Sequence, residues 1–161
     1  MTPAVIEARR QGIEVEIHEY SHDPGATSYG QEAVKKLGVE AVTVFKTLIV
    51  ESDQKNLAVG IVPVLKELDL KAMASALGVK KVQMADKLKV QRTTGYVLGG
   101  VSPLGQKKKL PTVIDQSAKG LQKIFVSGGR RGLDIALTPA QLALLSNAKF
   151  SPIARSGKNI L

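Results

Sequence analysis

The sequence predicts one α/β domain of the α+β kind: a mixed, mostly antiparallel sheet flanked by short helices. Three observations lead there. The 161 residues are about one domain's length, and 43% hydrophobic with 23% charged residues is ordinary globular composition. Short apolar alternations of period two are interleaved with short stretches of helical period. Several adjacent strand-like stretches are joined by turns too short for a parallel crossover. A domain of this size buries about 68–70% of the surface its unfolded chain exposes, which suits a chain with no Cys to staple it. Lacking Cys, it has no disulfide scaffold, thiolate zinc site or cysteine nucleophile, and it fits a reducing compartment.

Each element follows from local chemistry. Thr2 and Pro3 start a short helix that Gly12 ends. In IEVEIHEY (13–20), Ile13, Val15 and Ile17 face one way and Glu14, Glu16 and His18 the other, the pattern of a half-buried strand. After a turn-rich loop, Ser28 with Gln31 has capping-box spacing for a helix ending near Leu37 and Gly38. VTVFKTLIV (42–50) is a strand, ESDQKN a hairpin-like break, and LAVGIVPVL a returning strand whose Pro63 suggests an edge or a bulge. Asp69 caps a helix with Leu70, Met73, Ala74 and Leu77 on one core-facing side and Gly78 at its end. A short helix over 86–92 precedes the glycine-rich TGYVLGGVSPLG, followed by strands at 112–115, 122–127 and 133–137. Thr138 and Pro139 open a last helix, and residues after Lys149 read as a poorly fixed tail. The domain is expected over 1–150, with 151–161 as a C-terminal tail.

The longest apolar run, Ala58 to Leu65, falls far short of the ~20 residues of a membrane span. MTPAVIEARRQG places charges where a signal peptide needs its apolar stretch, so the chain is expected in the cytoplasm. Net charge is +9 and unevenly spread: residues 1–64 carry six Lys/Arg against nine Asp/Glu, and residues 65–161 seventeen against five. That asymmetry is the footprint of a polyanion binder or of a basic, merely solvated surface. Six aromatic residues make a base-stacking platform a poor explanation.

Candidate chemistry is concentrated at few places. As a strand residue, Lys46 shares a row with Val42, Val44, Leu48 and Val50, so its ammonium either reaches a rim or meets an anion. Gly99, Gly100, Val101, Ser102, Pro103 and Gly105 make either a hairpin turn or a backbone cradle for a phosphate or carbonyl oxygen. The spacing is not that of a Walker A loop, and Lys107 and Lys108 come too late to complete one. SGGRRG, from Ser127 through Arg130 and Arg131, reads as an anion nest or a solvated loop, with Asp134 just beyond pairing a nearby cation. His18 and His22, about 13 Å apart if the strand continues, could not share one metal ion. No GxSxG, HExxH or paired-carboxylate signature appears.

Together, VEIHEYSHDP, FKTLIV, GVKKVQMAD, TGYVLGGVSPLGQKKK and VSGGRRGLDI resemble, in the same order, the YbaK family of Cys-tRNA(Pro) deacylases. That family is similar to the editing domain inserted in bacterial prolyl-tRNA synthetases, and the match runs from Thr2 to about Phe150. The resemblance implies a barrel-like sheet and a free-standing editing hydrolase of mischarged tRNA, with no cofactor and no metal. It places the family's invariant lysine on Lys46 and its GxxxP loop on Gly99 to Pro103. Pocket positions carried over are Tyr20, Tyr29, Thr47, Ser127 and Asp134; relatives often have Phe where this chain has Tyr29. Arg130, Arg131, Lys107 and Lys108 are the candidate contacts to tRNA phosphates. The implied partners are the tRNA acceptor end and prolyl-tRNA synthetase. The mechanism attributed to the family, attack of the substrate's own thiol on its ester, needs no protein nucleophile. Two other readings are a noncatalytic RNA-binding module, which leaves Lys46 and the GGVSP turn without a job, and an editing deacylase for a different small amino acid.

Overall fold

The computed structural model describes residues 1–26 and 28–157. The α/β class with a mostly antiparallel arrangement is what the chain adopts, although no closed barrel forms among the described residues: the strands make three sheets. Helix α1 (Pro3–Arg10) starts at Thr2, whose side chain accepts from the Val5 N–H. Helix α2 (Tyr29–Leu37) is capped by Ser28, α3 (Leu70–Leu77) by Asp69, α4 (Lys87–Thr94) by Asp86 and α5 (Pro139–Ser146) by Thr138. Each such cap satisfies a backbone donor that the helix leaves unpaired, worth about 1 kcal/mol.

The central sheet is built from β2 (Phe45–Ser52), β3 (Leu57–Pro63), β5 (Val82–Met84), β6 (Thr112–Asp115) and β9 (Lys149–Ser151), in the order β5-β2-β3-β6-β9. The β2–β3 hairpin is antiparallel, and β6 pairs parallel with both its neighbours. Strand β3 is buried along its whole length, sending Leu57, Val59 and Ile61 into the largest apolar cluster and Ala58 and Val62 into a second on the opposite face. A continuous apolar run is what a doubly covered strand requires. Pro63 therefore marks no edge; it closes a central strand beyond its last partner in β6, Ile114 opposite Ile61.

A second sheet has the order β1-β8-β7, formed by β1 (Glu16–Glu19), β7 (Ile124–Arg130) and β8 (Leu133–Leu137). It joins the first through a parallel bridge between Val44 and Phe125. Ile13 and Val15 pack on the core as the alternation predicts, but from Ile17 on it reverses: Ile17 is exposed, while the His18 ring lies edge-on to Phe125 at 5.3 Å. Likewise β7 continues through Gly128 and Gly129 to Arg130 with a register shift after Ser127, so SGGRRG is a bulged strand end rather than a free loop.

The expectation of a loose tail after Lys149 is corrected. Strand β9 is followed by β10 (Ala154–Ser156), which pairs antiparallel with β4 (Lys66–Leu68). Asp115 holds this segment, its Oδ1 accepting from the N–H groups of Ile153 and Ala154 at 2.9 and 3.0 Å, and Ile153 is fully buried. Residues 158–161 of the expected tail lie outside the described residues.

Candidate active site

Where the two sheets meet, a cavity of about 270 Å³ opens. Lys46 forms part of its wall because neighbouring positions of its row enter different cores: Val44 packs into a cluster with Val64 and Phe125, Leu48 and Val50 into another with Val62. Val42, expected in the same row, is exposed in a 3-10 turn before the strand. Burial pushes the Lys46 ammonium below its ordinary pKa, against the opposing pull of Glu67. Among the described residues, Lys46 makes no salt bridge. Thr47 also lines the cavity, and its buried Oγ1 has no hydrogen-bond partner among the described residues. An orphaned buried hydroxyl of this kind is one a ligand could satisfy.

The β7–β8 pairing sets Ser127 opposite Asp134, and both reach the cavity. Ser127 Oγ accepts from the Gly129 N–H at 3.2 Å. Asp134 is 7% exposed, which replaces the expected surface ion pair, and burial raises its carboxyl to about 7. Near neutrality it is poised between donor and acceptor. Tyr20 stands behind this pair, its N–H donating to Gly132 O at 2.9 Å. Burial, and then the negative charges of Asp134 and Glu32, push the Tyr20 phenol up to about 12.

The opposite wall comes from α2 and the glycine-rich turn. Gly30 lies so close to Val64 that an added Cβ would sit 2.5 Å from Cγ1, which fixes the first turn of α2 on the core. Gly99, at φ +84, faces the Tyr29 ring closely enough that a Cβ would lie 2.9 Å from three of its carbons. Only glycine meets both conditions without strain. On the Tyr29 ring lies the Arg131 guanidinium, 5.0 Å from the centroid, while Arg131 Nε donates to Leu98 O at 2.8 Å.

Of the candidate residues, the cavity gathers Tyr29, Lys46, Thr47, Gly99, Val101, Ser127 and Asp134. Four of the other pocket and turn candidates do not line it. Tyr20 is in the layer behind; the Gly100 N–H is spent on Val97 O at 2.8 Å; Ser102 is fully buried, its Oγ accepting from the Leu104 N–H; Pro103 faces a separate cleft beside Glu7 and Ser146. The two arginines are engaged within the fold, Arg130 with Glu19 and Arg131 with Tyr29 and Leu98. Lys107 and Lys108 are exposed, Lys107 with its stem against Gly95.

Sequence reasoning missed Glu32. Burial would raise its pKa, but the Asp23 N–H, His22 and Lys36 hold the carboxylate down at about 2. It accepts from Asp23 at 2.6 Å, meets His22 Nδ1 at 2.8 Å and Lys36 Nζ at 3.1 Å, and so clasps the loop beside Tyr29. His22 and the helix that starts at Ser28 were each visible in the sequence, but nothing local joined them.

The chain matches the aminoacyl-tRNA editing domain family over residues 22–145. It belongs to that family. A protein of Enterococcus faecalis, EbsC, named as a candidate Cys-tRNA(Pro)/Cys-tRNA(Cys) deacylase, is 39% identical over 123 residues, covering 76% of this chain and 75% of its own. A crystal structure of a candidate trans-editing enzyme for prolyl tRNA synthetase superposes with a TM-score of 0.84 at 22% identity, covering 96% of both chains. The hypothetical protein APE2540 has the same fold, with a TM-score of 0.85, 24% identity and coverage of 95% and 99%. The activity of the chain is accordingly that of an aminoacyl-tRNA deacylase acting on mischarged tRNA. No helix among the described residues is long and apolar enough to cross a membrane.

Proposed function

We propose that this editing domain hydrolyses Cys-tRNA(Pro), with the substrate's own thiol as nucleophile. The observation that carries this reading is the make-up of the cavity. Its lining includes Lys46, Asp134, the hydroxyls of Ser28, Tyr29, Thr47 and Ser127, and Leu98, Gly99 and Val101 of the glycine-rich turn, but, among the described residues, neither a His nor a Cys to drive a protein nucleophile. The cysteinyl sulfur attacks its own carbonyl carbon; the S–C bond forms, the ester C–O bond breaks, and the thiol proton passes to the departing ribose oxygen. Water then opens the cyclic thioester to free cysteine. The protein contributes position, a large share of the barrier when reacting atoms are held in contact. Lys46 anchors the terminal adenosine or its phosphate. The backbone at Gly99 and Val101 faces the carbonyl oxygen as its charge develops. Tyr29, Thr47 and Ser127 bound the side-chain space, and Asp134 with Tyr20 behind it sets that wall's polarity.

Selection of tRNA(Pro) is assigned to prolyl-tRNA synthetase, because the cavity is large enough only for the acceptor end. This reading is supported by the name of the Enterococcus relative and by the structural neighbour described for that synthetase. The setting is the cytoplasm, where tRNA is charged. The test is release of amino acid from Cys-, Ala- and Pro-tRNA(Pro) by the wild type and by Lys46→Ala. Selective loss of Cys, abolished in a folded variant, supports the reading. Normal turnover by Lys46→Ala removes the lysine from the site, and release of Ala but not Cys moves the specificity to a smaller side chain.

A further inference from the structure

The arginines expected at tRNA phosphates also contact Glu19 and Tyr29 while staying exposed, and residues 65–161 hold seventeen basic side chains against five acidic ones. A groove beyond the other end of β2 collects part of that excess. It measures about 480 Å³; its rim carries Lys55, Lys89, Lys108 and Lys109, and its floor is apolar, with Leu57, Leu77 and Leu110 among the residues. Among the described residues, no carboxylate lines it. Of the four lysines, Lys89 is paired with Glu51, leaving Lys55, Lys108 and Lys109 without a salt bridge among the described residues. Asp53 is the nearby acid of the β2–β3 turn, its N–H donating to Lys81 O.

Lys55 carries a second mark. Its φ is +69, a left-handed conformation that glycine takes without strain, and its N–H closes the turn onto Ser52 O at 2.9 Å. A long cation therefore occupies a position where local geometry favours a residue with no side chain, and it does so at the rim of a basic groove.

We propose that this groove seats the sugar-phosphate backbone of the tRNA acceptor stem, at a distance from the cavity that receives the aminoacyl end. The inference rests on the substrate's being an aminoacylated tRNA and is indifferent to which amino acid it bears. From Lys46 to Ser52 the strand advances about 20 Å. Nucleotides stacked at about 3.4 Å per step need six steps for that span, the reach of a tRNA's unpaired 3′ end with the first pairs of its stem. Ammonium groups meet the phosphates as point charges, and the apolar floor accepts ribose edges.

The test is binding of uncharged tRNA(Pro) to the full chain between 50 and 200 mM salt, for the wild type, Lys55→Glu/Lys109→Glu and the charge-matched Lys35→Glu/Lys71→Glu, with thermal midpoints confirming that all three are folded. The groove variant is expected to bind at least about tenfold more weakly at 50 mM salt, its log–log salt slope reduced by about two, while the control stays close to wild type. An equal loss in both variants would show diffuse charge rather than a seat and overturn the proposal. Unchanged tRNA affinity would also overturn it, and loss of synthetase binding in that case would assign the groove to a protein partner. If the wild type fails to release cysteine from Cys-tRNA(Pro) but the groove variant still loses tRNA affinity, the cysteinyl reading falls and the groove stands.

Discussion

Asp134→Asn should flatten the pH dependence of stability. The carboxyl is 7% exposed and titrates at about 7 rather than its ordinary 3.8 because burial disfavours the anion. Below about pH 4 both folded and unfolded chains carry the proton, and this group's contribution is fully present. As pH rises the unfolded chain loses the proton first, so stability is lost progressively until the folded protein ionises near 7. About three pH units at about 1.4 kcal/mol each give a loss of about 4 kcal/mol across that window, a large fraction of a domain's stability. Asparagine keeps the shape and has no proton to lose. Glu32, held down at about 2, gives an opposite slope at acid pH, but it is present in both proteins and cancels from their difference. Urea unfolding followed by circular dichroism at pH 4, 5, 6, 7 and 8 measures that difference. The variant should gain on the wild type by several kcal/mol between the two ends, nearly all of it before pH 7.5. Curves that run parallel within about 1 kcal/mol would refute the assignment of Asp134 as a carboxyl kept neutral by its surroundings.

Two further outcomes follow from the cavity's walls. Thr47→Val removes a buried hydroxyl without a partner, so thermal unfolding should show a gain of about 1 kcal/mol while KM for the aminoacyl ester rises; a destabilised variant would mean that the hydroxyl is already satisfied. Gly99→Ala puts a Cβ at φ +84 against the Tyr29 ring, at a cost of about 1–3 kcal/mol, and should lower kcat/KM by displacing that ring; wild-type stability and kinetics together would show that the turn is not held there.

What the sequence made legible was local. All five helix caps, Thr2, Ser28, Asp69, Asp86 and Thr138, lie where short-range hydrogen bonding puts them. The β2–β3 hairpin and the place of Lys46 in an apolar row also needed only period-two geometry. What escaped depended on partners distant in the chain. Strand β10 exists because Asp115 binds the backbone 38 and 39 residues later, and no composition signal in PIARS announces it. His18 replaces Ile17 as the inward residue of its strand because Phe125 offers a ring to pack against. Arg131 looked free for phosphate, since neither Tyr29 nor the Leu98 carbonyl lies near it in sequence.

The same long-range contacts fix the walls of the cavity. Tyr29 is held by Gly99 on one side and Arg131 on another, and the loop beside it is clasped by Glu32. Burial works against charge on Lys46 and on Asp134 of the cavity, lowering the first and raising the second. An arriving phosphate reverses the balance at Lys46, because a nearby anion favours the ammonium that burial disfavours. On the proposed function, the anionic end of a tRNA is the group that offsets the burial of that ammonium. Aminoacyl-tRNA is then expected to be turned over in preference to a simple cysteine ester, and Lys46→Ala is expected to level that difference.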